Sequence, residues 1–190
     1  MKNIAILASG AGTNAGAIMR HFASSDSART LLLIADRPRA GAIERAAEAG
    51  VECLLMSPGE LGEGGRLLEV LQARGVDFVV LAGYLRMIPA AVTRAYRGRI
   101  VNIHPSLLPA YGGRGMYGMN VHRAVLAAGE RRSGITIHLV DEQYDHGAVV
   151  AQYECEVLPG DTPESLAERI HALEHLHYPP AIERLISETC

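Results

Sequence analysis

Apolar positions in the first half of the chain fall in short unbroken runs, each closed by small or charged residues. Ile4-Ala5-Ile6-Leu7-Ala8 stops at Ser9-Gly10, and Leu31-Leu32-Leu33-Ile34-Ala35 stops at Asp36. Short runs without alternation are expected of strands buried on both faces of a parallel sheet. Further strands are predicted at Glu52 to Met56, Phe78 to Ala82 and Ile100 to Ile103. A loop and helix follow the first strand, and helices are predicted around Ala42 to Ala49 and Leu67 to Arg74. Strand and helix in alternation point to a Rossmann-like layered sheet.

The period changes in the second half. Ser133 to Val140 and Val149 to Val157 alternate like half-buried strands, joined by the acidic turn Asp141 to Gly147. The last element is a helix with Thr162 as N-cap and Pro163 at its first position. Leu166, Ile170, Leu173 and His177 recur at helical spacing as its packed stripe, which leaves His171, Glu174 and His175 on the flank, within reach of a cleft. Tyr178-Pro179-Pro180 is expected to end or kink the helix. The fold class is therefore α/β: a mostly parallel central sheet with helices on both faces, ending in antiparallel strands and a C-terminal helix.

With 190 residues and 48% hydrophobic content, the chain can bury the core of one domain, taken as residues 1–190. A net charge of -3 gives no general electrostatic case for nucleic acid, so small molecules are the expected partners. Its 3 cysteines form no paired framework, and no run approaches the roughly 20 apolar residues of a membrane span. Free thiols, a cytoplasmic location and no membrane partner are expected.

Candidate chemistry lies in three places. Asn102 and His104 share a face at the end of a strand that Pro105 terminates, where open α/β sheets keep their ligands, although the pair could instead cap the next turn. Gly112, Gly113, Gly115 and Gly118 follow closely and suggest a mobile loop beside the pair, or an ordinary long connection. An imidazole that titrates near neutrality, an amide donor and the Asp145 carboxylate of the acidic turn are the parts for acyl transfer. Gly10-Ala11-Gly12-Thr13-Asn14-Ala15 opens a helix after the first strand, with Asp36 ending the second. That pattern fits a dinucleotide such as NAD(P), but the backbone cradle it builds suits any phosphate. His171-Ala172-Leu173-Glu174-His175 matches a short zinc pattern without an evident third ligand, and no metal is expected.

Ala8 to Asn14, Val80 to Ile88, Asn102-Ile103-His104-Pro105-Ser106-Leu107-Leu108-Pro109, Gly134 to His138 and Asp145 together resemble the folate-dependent formyltransferase family over nearly the whole chain. The N-terminal loop is similar to the branch acting on glycinamide ribonucleotide rather than on methionyl-tRNA. The resemblance implies formyl transfer from 10-formyltetrahydrofolate, as cosubstrate, to the amine of that nucleotide in purine biosynthesis. It implies catalytic roles for Asn102, His104 and Asp145, with Asp145 keeping His104 charged, and phosphate binding by Gly12, Thr13 and Asn14. Glu174 and His171 would contact the nucleotide; Leu85, Arg86, Met87, Ile88, Asn102, Asp141, Glu142, Gln143, Tyr144 and Arg66 would contact folate. Residues 1–100 would then be the phosphate-binding half and 101–190 the folate and catalytic half. A homodimer is left open. The alternatives are a 10-formyltetrahydrofolate hydrolase using the same trio, and an NAD(P)-binding module using Gly10 to Ala15 and Asp36.

Overall fold

The computed structural model describes residues 1–62 and 65–189. Seven strands form one sheet: β1 (Lys2–Ala8), β2 (Ala28–Ala35), β3 (Glu52–Leu55), β4 (Phe78–Leu81), β5 (Ile100–His104), β6 (Arg132–Leu139) and β7 (Val149–Glu156). Their spatial order is β3-β2-β1-β4-β5-β6-β7. Pairing is parallel from β3 through β5 and antiparallel for β5–β6 and β6–β7, as the apolar runs and then the alternating segments predict.

Side-chain alternation along each strand divides the core between two faces. On one face Ile4, Ile6, Val101 and Ile103 pack with α1 (Thr13–Phe22), α2 (Gly41–Glu48), α6 (Met119–Ala127) and α7 (Pro163–Glu188). On the other, Ala5, Leu7, Val79 and Ile100 pack with α3 (Pro58–Gly62), α4 (Gly65–Ala73) and α5 (Ala90–Ala95). Among the described residues, no helix is long and apolar enough to cross a membrane.

Two expectations for the last helix are corrected. Of the end or kink expected at Tyr178-Pro179-Pro180, the end is overturned, because α7 runs through both prolines to Glu188. The prolines remove the amide donors for the carbonyls of His175 and Leu176, both of them exposed residues. Its buried stripe is also rotated from the expected one, running through Leu166, Ile170, Glu174, Tyr178 and Ile182. Tyr178 defines that face because its hydroxyl donates to the carbonyls of Leu81 and Val101, at 2.9 and 3.1 Å, and ties α7 to β4 and β5. His177 is displaced from the core and stacks on Tyr153 at 3.6 Å.

Candidate active site

β1 and β4 are neighbours whose outgoing connections leave in opposite directions along the sheet, so the chain parts beyond their carboxyl ends. A cavity of about 490 Å³ opens there and extends past the end of β5.

One end of the cavity is made of backbone. Gly12 is the N-cap of α1 at φ 72°, with no side chain capping the first turn, so the leading N–H groups are left for a ligand. A Cβ on Gly12 would stand 2.4 Å from the Cα of Ala42, so the residue meets both a left-handed backbone and a close helix contact. Gly10 faces open space instead. Asn14 turns its side chain to Glu174, donating from Nδ2 to Oε2 at 2.8 Å, and its own Oδ1 is buried without a partner among the described residues. What this segment offers a phosphate is the main chain of Gly12, Thr13 and Asn14. Glu174 is only 6% exposed, and burial raises its pKa against the opposing hydrogen bond from Asn14. Exposed His171 lines the same end.

The other end is made of side chains held by the main chain. His104 is 4% exposed and its Nε2–H donates to the carbonyl of Tyr111 at 2.8 Å. A carbonyl only accepts, so this contact fixes the tautomer and leaves Nδ1 facing Asp145 Oδ2 at 3.5 Å. Asp145 sits at φ 51°, an unusual conformation for a residue with a side chain, and its Oδ2 also accepts from the Gly113 N–H at 2.9 Å. Asn102 donates from Nδ2 to His138 Nε2 at 3.1 Å. Beneath them, the Thr136 hydroxyl donates to the Ser106 carbonyl and accepts from the Leu108 N–H and from Gln152, which locks the turn after β5 onto β6.

Between the two ends runs the segment after β4. Leu85, Arg86, Met87 and Ile88 all line the cavity, and the Leu85 N–H donates to Ser9 Oγ, latching the segment to the end of β1. The Arg86 Nε–H donates to Asp36 Oδ2 at 2.8 Å. The Asp36 side chain is fully buried there and does not line the cavity, so it is not offered to a ribose hydroxyl and the NAD(P) alternative loses its acidic ligand. Asp141, Gln143 and Tyr144 also line the cavity. Burial opposes the Asp141 charge, but hydrogen bonds from His146 and the Gln143 backbone outweigh it and hold the carboxyl low.

Two expected folate contacts fall elsewhere. Arg66 is exposed on α4, pairs with Glu69 one turn on at 3.6 Å, and does not line the cavity. Glu142 turns away from the cavity toward Arg94, at 3.5 Å. The flanking His175 is exposed and also lies off the cavity. Sequence reasoning passed over His122, on α6, which lines the cavity at 2% exposure, its Nδ1 unpartnered among the described residues. Its place in an otherwise unremarked helix left no signal of that. The glycine-rich stretch does form part of the wall, with Gly113, Gly115 and Gly118 all at positive φ.

Comparisons with known proteins agree with this layout. Residues 2–182 match the protein family described as formyl transferase. The chain is 41% identical to the chloroplastic phosphoribosylglycinamide formyltransferase of Arabidopsis thaliana, over 98% of its own length and 66% of that protein's. It therefore spans about two thirds of the plant protein. It is 38% identical to phosphoribosylglycinamide formyltransferase of Bacillus subtilis (strain 168), covering 98% of this chain and 95% of that one. The crystal structure of glycinamide ribonucleotide transformylase 1 from Symbiobacterium toebii superposes with a TM-score of 0.92 at 40% identity, covering 99% of this chain and 89% of that one.

Proposed function

The chain belongs to the formyl transferase family, among the phosphoribosylglycinamide formyltransferases, and on that premise we propose that it transfers a formyl group from 10-formyltetrahydrofolate to the amine of glycinamide ribonucleotide. The observation that carries the reading is the cavity's two-ended build: an N–H cradle with a buried carboxylate at one end, and Asn102, His104 and Asp145 together at the other. The nucleotide phosphate would rest on the first turn of α1, where unpaired N–H groups and the helix dipole favour an anion. Glu174, pinned by Asn14, would accept from the polar body of the nucleotide. The folate ring system would lie along the apolar wall of Leu85, Met87 and Ile88, with main-chain groups for its polar edge.

The amine attacks the formyl carbon, and the carbonyl oxygen gathers negative charge. Asn102 has a second amide N–H to offer that oxygen, and His104, with Nε2 committed to Tyr111, would donate from a protonated Nδ1. The Asp145 carboxylate, 3.5 Å away, balances the positive ring and receives the proton that the attacking amine sheds, through water. Collapse of the tetrahedral adduct breaks the bond from the formyl carbon to N10 of the folate, which leaves with the proton that Asp145 passes back through water. Each group acts where charge develops, so the main effect is on rate rather than on substrate affinity.

Single-turnover absorbance with 10-formyltetrahydrofolate, with and without glycinamide ribonucleotide, tests this. Folate product is expected only when the nucleotide is present, and His104→Ala should slow it by roughly 10²- to 10⁴-fold. Product formed at full rate without any acceptor would establish the hydrolase instead. An unchanged rate in His104→Ala would remove His104 from the chemistry.

A further inference from the structure

We propose that His138 is a positioning residue that fixes which way the Asn102 amide faces, holding its N–H₂ group rather than its oxygen where the transferred formyl oxygen becomes charged. The inference rests on the reading of Asn102 as a donor to that oxygen. It starts from the sheet: Asn102 on β5 and His138 on β6 are direct partners in the antiparallel register, so their side chains stand together on one face.

The hydrogen bonds then leave one arrangement. His138 Nδ1 lies 2.9 Å from the Leu139 carbonyl, an acceptor only, so Nδ1 carries the proton. In the neutral ring Nε2 is then a bare acceptor, and its neighbour at 3.1 Å must be an N–H, which assigns nitrogen to that side of the Asn102 amide. Asp145 Oδ1 stands 3.7 Å from the same Nε2, outside hydrogen-bond distance. Protonating Nε2 would exchange Asn102 for Asp145 as its partner. His138 is 2% exposed, and burial lowers its pKa despite hydrogen bonding to Leu139 and the charge of Asp145. The ring therefore stays an acceptor. Without it the amide turns over readily, because its oxygen and nitrogen ends have nearly the same shape, and a turned amide aims lone pairs at the forming oxyanion.

The test is a mutant cycle with kcat and KM measured for both substrates. His138→Leu is expected to lower kcat roughly 10- to 100-fold with each KM changed less than about threefold. His138→Gln puts an amide oxygen near the place of Nε2 and should recover most of the rate. His138→Asn reaches only the Nδ1 side and should not, so the Gln and Asn pair decides the matter even if the leucine variant folds poorly. In an Asn102→Ala background, His138→Leu should have no further effect on kcat. Independent, multiplying losses at the two positions, or full rate in both His138→Leu and His138→Asn while Asn102→Ala is slow, would overturn the inference alone. Full rate in Asn102→Ala would overturn the oxyanion reading and this inference with it.

Discussion

On the proposed function, the cavity's α1 end and its β5–β6 end would solve different problems with different material. At α1 the groups presented to a ligand are main-chain N–H groups, set by Gly12 at φ 72° and by the helix behind it. At β5–β6 they are side chains: His104 is anchored on the Tyr111 carbonyl and Asp145 under the Gly113 N–H, while Asn102 is held by His138, itself anchored on the Leu139 carbonyl. A phosphate arrives fully charged, and fixed dipoles can hold it without discriminating between states. An oxyanion exists only during reaction, so its donors must be aimed beforehand. Damage at the first end is therefore expected in folding and affinity, and damage at the second in kcat.

Gly12→Ala should give the larger effect at the α1 end. The new methyl would overlap the Ala42 backbone and the residue would be held at a positive φ, so α1 or α2 must shift. A loss of about 2–4 kcal/mol is expected from strain and overpacking together, read as a lower urea midpoint, with nucleotide binding by calorimetry weakened or abolished. Gly10→Ala, whose added methyl meets nothing within 4 Å, is the control and should change stability by less than about 0.5 kcal/mol. Equal effects at the two glycines would mean that α1 is not held by that close contact.

Glu174→Gln separates affinity from stability at the same end. Burial disfavours the Glu174 carboxylate, so a neutral amide of the same shape should raise the melting temperature at pH 8 by a few degrees, equivalent to about 1 kcal/mol. The Gln oxygen can still accept from Asn14. The sign follows from the raised pKa: burial of the carboxyl costs least when it is protonated, and that advantage is lost as pH rises through its folded-state value. The gain should therefore shrink toward pH 4.5. Nucleotide affinity should fall in the same variant, because a charged acceptor has been exchanged for a neutral one. A variant that binds normally and melts unchanged would show that the carboxylate serves neither purpose.

These differences also mark what could be read from the chain. The parallel strands were legible because burial on both faces makes them continuously apolar, and Asn102 and His104 were legible because strand alternation and Pro105 place them together. The helices at 58–62, 90–95 and 119–127 were not; the first two are too short for a period to emerge. The rotation of α7 misled for a physical reason: counting apolar residues selects Leu173 and His177, while the true face carries Glu174, which serves the cavity, and Tyr178, whose hydroxyl finds two carbonyls. Arg66 and Glu142 lie off the cavity because exposed side chains take their direction from whatever partner stands near, here Glu69 one turn along the same helix for Arg66 and the more distant Arg94 for Glu142.

The effect expected to be smallest near neutral pH, and to emerge only on acidification, tests a buried imidazole outside both ends' hydrogen-bond networks. Burial pushes His122 down to about 4, with the neighbouring His171 and His104 acting in the same direction, and its Nδ1 has no partner among the described residues. In the unfolded chain the same ring titrates near 6.5, so between those values the unfolded state binds the extra proton and stability falls as pH is lowered. His122→Leu removes that linkage while filling a similar space. The variant should be within about 1 kcal/mol of the parent at pH 7.5 and gain roughly 1–2 kcal/mol relative to it by pH 5, measured by urea unfolding at each pH. His138 is shifted in the same direction, also by burial, and remains in both proteins, so the difference between them isolates His122. If the two curves stay parallel from pH 7.5 to pH 5, His122 takes up its proton as readily in the folded cavity as in the open chain. The ring would then have to be counted among the charges of the transfer end.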